Sequence, residues 1–76
     1  MNNAFTVHAM WDDEARVWVA ESEDVPGLVT EADTIEQLVE KLKILIPELL
    51  DANGIGGSKE VPFHLLSKLT AVAHRH

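Results

Sequence analysis

An α+β fold is what this sequence predicts: a two-layer β-β-β-α-β sandwich, with a mixed four-stranded sheet and one helix on one face. Three observations predict it. Residues 5–11 and 16–22 alternate in hydrophobicity on either side of a polar tetrad. Residues 35–50 carry apolar side chains at helical spacing behind a capping pair. A second β-rich run, 61–67, follows a glycine-rich loop.

Phe5-Thr-Val-His-Ala-Met-Trp11 is rich in β-formers and reads as the first strand. Asp12-Asp13-Glu14-Ala15 suits a four-residue hairpin loop, with Arg16-Val-Trp-Val-Ala-Glu-Ser22 as the return strand. In that register Phe5, Val7, Ala9, Trp11, Trp18 and Ala20 share one face, and Thr6, His8, Met10, Val17, Val19 and Glu21 the other. Both faces are partly apolar, so the second is expected to meet something other than water. Val25-Pro26-Gly27 breaks the pattern, because proline fixes φ and removes a donor while glycine permits a left-handed backbone. Leu28-Val-Thr-Glu-Ala32 is then a short third strand at an edge.

Asp33 or Thr34 caps the helix, and Glu36 or Gln37 completes a capping box. Ile35, Leu38, Val39, Leu42, Leu45, Ile46, Leu49 and Leu50 form its apolar stripe. Pro47 deletes the amide that would bond the Lys43 carbonyl, which predicts a kink or a tightened last turn. Asn53-Gly54 is the stop signal, and Gly54-Ile-Gly-Gly-Ser58 a loop. Val61-Pro-Phe-His-Leu-Leu-Ser67 is the fourth strand, and Lys68 to His74 either continues it or begins a helix, the strand being the favoured reading. This strand is expected beside the first and parallel to it, after a right-handed crossover.

A length of 76 residues predicts one domain, 1–76, with a thin core. The absence of cysteine excludes a disulfide framework, a thiolate zinc site and a cysteine nucleophile. Such a core is expected to gain stability by self-association, as a homodimer or higher oligomer. No apolar run reaches the ~20 residues needed to span a bilayer, and the first residues lack signal-peptide character. A cytoplasmic protein without membrane contact is the expectation. The net charge of −7 lies entirely in residues 1–33, where eight acids face Arg16 alone, while residues 34–76 balance. That asymmetry disfavours direct nucleic-acid binding and favours a basic partner.

Chemistry-bearing residues are few. His8 lies mid-strand, and His74 with His76 supplies too few ligands for a stable metal site. No serine or threonine has an adjacent histidine–acid pairing that would activate it. Gly54, Gly56 and Gly57 follow a helix instead of opening one, which is the wrong order for a phosphate cradle. No cofactor and no catalytic residue are therefore expected. Trp11 and Trp18 stand beside the acids of the hairpin; Trp18 is expected to close the core, and Trp11 is the candidate contact for a partner.

Asp24-Val-Pro-Gly-Leu-Val-Thr-Glu-Ala-Asp-Thr-Ile-Glu-Gln-Leu38 resembles the HicB-like antitoxin superfamily, whose members carry a Pro-Gly segment, a short strand and a Thr-x-Glu-Glu helix start. The hairpin Trp11-Asp-Asp-Glu-Ala-Arg-Val-Trp-Val-Ala20 and the Val61-Pro-Phe63 strand start are similar to short stand-alone members of that group. The resemblance implies a truncated ribonuclease-H-like fold without catalytic carboxylates. It also implies a non-enzymatic domain that neutralises a small basic RNA-cleaving toxin. No separate DNA-binding domain of the kind full-length members carry is expected here. Asp12, Asp13, Glu21 and Asp24 show no pattern that converges three carboxylates on two metal ions.

The expected partner-binding residues are Trp11, Asp12, Asp13, Glu14, Glu21, Glu23 and Asp24, whereas Pro26, Gly27, Asp33, Thr34 and Gln37 serve the fold. Replacing Asp12 and Asp13 by lysine is accordingly expected to abolish basic-partner binding and leave stability nearly unchanged. The alternative is a stand-alone homo-oligomer with no toxin partner. A small enzyme is disfavoured, because a two-layer fold of this size is expected to lack a pocket of roughly 300 Å³ or more.

Overall fold

Alternating side chains give the sheet its two faces. In the computed structural model, which describes residues 4–76, β1 (Phe5–Asp12) and β2 (Val17–Glu21) form an antiparallel hairpin. Residues 1–3, counted in the expected single domain and its N-terminal reading, lie outside the described residues. Ala9 faces Ala20 and Trp11 faces Trp18, as the alternation requires. The loop takes residues 13–16, one later than expected, because Asp12 still pairs with Val17. Arg16 closes it in a left-handed conformation (φ 60°), donating its N–H to the Asp12 carbonyl at 2.8 Å.

β3 (Val29–Ala32) adds antiparallel to β2, and β4 (Phe63–Lys68) adds parallel to β1, giving the order β3-β2-β1-β4. The expected mixed sheet and β-β-β-α-β order are both present. The expected strand through residue 74 is not: β4 ends at Lys68, and residues 69–76 are exposed without regular structure. Lys68 pairs with Met10, and β1 turns into the hairpin loop two residues later, so little ladder remains to extend.

The helix α1 (Ile35–Ala52) is capped by Thr34 and not by Asp33; its extended backbone lets Oγ1 accept the Gln37 N–H at 3.1 Å. Thr34→Ala is expected to lower the unfolding free energy by ~1 kcal/mol, read from urea denaturation. Pro47 does not tighten the last turn: α-helix continues through it to Ala52. Lys43 and Pro47 are both exposed, so the carbonyl that loses its amide partner is open to water. At the end, Gly54 N–H reaches the Asp51 carbonyl at 3.1 Å and Ile55 N–H the Leu50 carbonyl at 2.9 Å. This is a Schellman closure, and the φ of +69° at Gly54 is what it requires.

Leu38, Leu42, Ile46 and Leu50, spaced by four, form the buried line of the helix. They meet Val7, Ala9, Ala20 and Ala32 from the sheet, with Val25 and Leu28 from the turn before β3. Small alanines on the sheet leave room for the leucines above. One face of the sheet is thereby covered, and among the described residues nothing forms a second layer on the other.

Candidate interaction surface

The uncovered face is built in rows across the strands. Cross-strand register sets Leu66, His8, Glu21 and Val29 in one row, in the order β4-β1-β2-β3. The next row holds Lys68, Met10, Val19 and Glu31 in the same order. Met10, Val29 and Leu66 are 57%, 69% and 54% exposed, which is high for large apolar side chains on a central sheet. Both rows thus carry apolar centres or flanks with charge interleaved. The second face expected from the sequence to seek a cover is this one.

The acidic partner set is not one patch. Trp11, Asp12, Asp13 and Glu14 sit at the hairpin end of the sheet, whereas Glu21, Glu23 and Asp24 sit at the opposite end of β2. Asp33, a candidate helix cap by sequence, instead follows the end of β3 near the hairpin, where Glu31 also stands. Sequence spacing groups residues that the length of a strand separates.

Local bonds also engage several of these acids. The Asp12 carboxylate accepts the N–H groups of Glu14 and Ala15, each at 3.1 Å, and so shapes the loop. Asp13 accepts from Arg16 at 2.8 Å and from the Trp11 indole at 3.3 Å, while the Arg16 guanidinium lies 5.3 Å from the Trp11 ring centre. Trp11 and Trp18 meet edge to face at 5.4 Å, and Trp18 packs on the core, as expected. The lysine double substitution therefore would not leave the fold untouched: Asp12→Lys removes a turn acceptor and is expected to cost ~1 kcal/mol in urea denaturation. Reversing the charge of Glu14, which is exposed at the loop tip, is the cleaner probe of partner contact.

At the other end, Ser22 and Asp24 continue the β1–β2 ladder with side chains. Ser22 Oγ donates to the Thr6 carbonyl at 2.6 Å and accepts the N–H groups of Asp24 and Val25. Asp24 Oδ2 accepts the Thr6 N–H at 2.8 Å. Asp24 therefore holds the fold, and Ser22, which sequence reasoning misses, does most to close this end. A Ser-x-Asp pair directly after a strand is the available signal. Behind it, Val25-Pro26-Gly27-Leu28 makes a turn closed by Leu28 N–H on the Val25 carbonyl at 3.2 Å, with Gly27 at φ +80°. Proline then glycine is the order a type II turn demands. The turn buries Val25 and Leu28 in the core.

Two surface grooves exceed the size expected of so small a fold. One of 430 Å³ lies on the outer face between His8, Glu21, Glu23 and Val29. The other, 820 Å³, lies between Phe5, the helix end at Leu50 and the 55–62 loop. His8 and Ser22 both line the first, but the Ser22 proton and lone pairs are committed to backbone groups. Among the described residues no group of three or more His, Asp or Glu side chains is placed to hold a metal ion. No helix among them is long and apolar enough to cross a membrane.

Against known proteins, the chain matches no curated sequence. A solved structure does match: the crystal structure of a hypothetical protein from the extremely thermophilic bacterium Thermus thermophilus. It is 48% identical, with a TM-score of 0.73, and the match covers 96% of this chain and 100% of the other. Residues 4–74 match the sequence profile of one family, and on that match the chain belongs to DUF1902, a domain of unknown function.

Proposed function

We propose that this chain is a non-enzymatic protein-binding domain related to the HicB-like antitoxins. The observation that carries the reading is the outer sheet face, where three strands expose Met10, Leu66 and Val29 on a surface that no other described element covers. A face of that composition gains free energy by excluding water against another protein surface, at roughly 25 cal/mol per Å² of apolar area. The Pro26-Gly27 turn and the Thr34 cap, which carry the resemblance, serve the fold and leave this face free.

Charge gives the finer reading its partner, a small basic toxin-like protein in the cytoplasm. The net charge of −7 is concentrated in residues 1–33, and the hairpin end collects Asp13, Glu14, Glu31 and Asp33. Affinity capture of the tagged protein from its host, followed by mass spectrometry, tests this. One small basic protein recovered in near-equal amount, whose RNA cleavage this chain suppresses, is the expected result. Recovery of this chain alone would replace the toxin partner with a stand-alone homo-oligomer.

A further inference from the structure

We propose that the outer sheet face packs on the same face of a second copy of this chain, about a two-fold axis running along the strands between β1 and β2. This rests on the protein-binding reading above and names the occupant of that face.

The outer face is self-complementary. A two-fold interface presents the same patch from both sides, so each residue must suit the one the symmetry sets against it. An axis along the strands, midway between β1 and β2, lays each cross-strand row on itself in reverse order. The row Leu66–His8–Glu21–Val29 then sets Leu66 against Val29 of the second copy, and His8 against its Glu21. In the row Lys68–Met10–Val19–Glu31, Met10 meets Val19 of the second copy and Lys68 meets its Glu31. In these two rows all four pairings match: apolar with apolar in two, imidazole with carboxylate, ammonium with carboxylate. At the hairpin end the same axis sets Asp12 beside Val17 of the second copy, where the Asp12 carboxylate is already bonded to the N–H groups of Glu14 and Ala15.

The competing two-fold, across the strands between the two rows, does worse. It sets Lys68 against Leu66 and Glu31 against Val29, burying each charge on an aliphatic side chain. Sheet packing agrees with the first choice. Aligned sheets cross at about −30° and diverge at their corners, which is where the long side chains of Lys68 and Glu31 stand. Within one chain these two residues lie three strand spacings apart, on the order of 14 Å, too far for an ion pair. Any close pairing between them must therefore act between copies. Edge-to-edge pairing through β3 is opposed by Lys41, whose Nζ already donates to the Glu31 carbonyl.

A charge-swap series with sedimentation equilibrium tests the geometry. The wild type is expected to have the mass of two chains at micromolar concentration. Lys68→Glu alone and Glu31→Lys alone should each weaken self-association by about tenfold or more, because like charges then face each other. An equimolar mixture of the two single variants should restore the dimer as a heterodimer, since both facing pairs become opposite in sign. The double variant should restore it as a homodimer. Circular dichroism checks that each variant stays folded, as exposed positions predict. A monomeric wild type that still captures another protein would overturn this inference while sparing the protein-binding reading. A dimer indifferent to both single substitutions would equally overturn the proposed axis.

Discussion

Leu42→Ala is expected to lower the unfolding free energy by ~2–5 kcal/mol. Leu42 is fully buried at the centre of the line Leu38–Leu42–Ile46, facing the alanines of the sheet. Shortening it removes buried methyl groups and leaves a cavity that stiff neighbours, a helix and a sheet, close only in part. A domain of 76 residues has about 4–11 kcal/mol in total at the usual stability per residue. The substitution therefore takes a large share, and thermal melting should shift visibly. Ile44→Ala supplies the contrast, because Ile44 is 65% exposed on the opposite side of the same helix and should change stability by no more than ~0.5 kcal/mol. Equal losses at both positions would mean that the helix packs by another face. Both must be compared at one protein concentration, since self-association adds to apparent stability.

The fold is readable because its devices are local. Alternation places Val7, Ala9 and Ala20 on the covered face, and the four-residue spacing places Leu38, Leu42, Ile46 and Leu50 beneath the helix. Thr34 and Gln37 announce the cap, and Asn53-Gly54 the end, through bonds that span a few residues. What escapes a sequence reading depends on longer reach. The end of β1 at Asp12 leaves residues beyond 70 no strand to pair with, whatever their composition. The acids of residues 12–24 look like one block in sequence, yet the length of β2 divides them between two ends. Several then prove to be acceptors for backbone groups, as Asp12 and Asp24 are. The uncovered face is legible as apolar; its row order, and hence its self-complementarity, needs the strand order.

Ser22→Ala is expected to cost ~1–3 kcal/mol, although the change removes a single oxygen. That oxygen makes three bonds, to the Thr6 carbonyl and the N–H groups of Asp24 and Val25, in a part-buried site. Alanine fits the space and leaves these backbone groups without it, so the loss is that of unpaired polar groups and not of packing. Asp24→Asn tests the same end differently. It keeps an oxygen that can accept the Thr6 N–H but drops the charge, and should cost less than Asp24→Ala. Glu23→Ala, between them and exposed, should leave the urea midpoint within the equivalent of ~0.5 kcal/mol. The three neighbours thus separate roles that sequence alone merges. If Glu23→Ala weakens binding to a basic partner while Ser22→Ala weakens the fold, the partner reads the rim of this end and the serine holds it in place. Equal and small effects on stability at all three positions would show that the side-chain continuation of the ladder contributes little, and that backbone pairing from Glu21 inward suffices to hold β1.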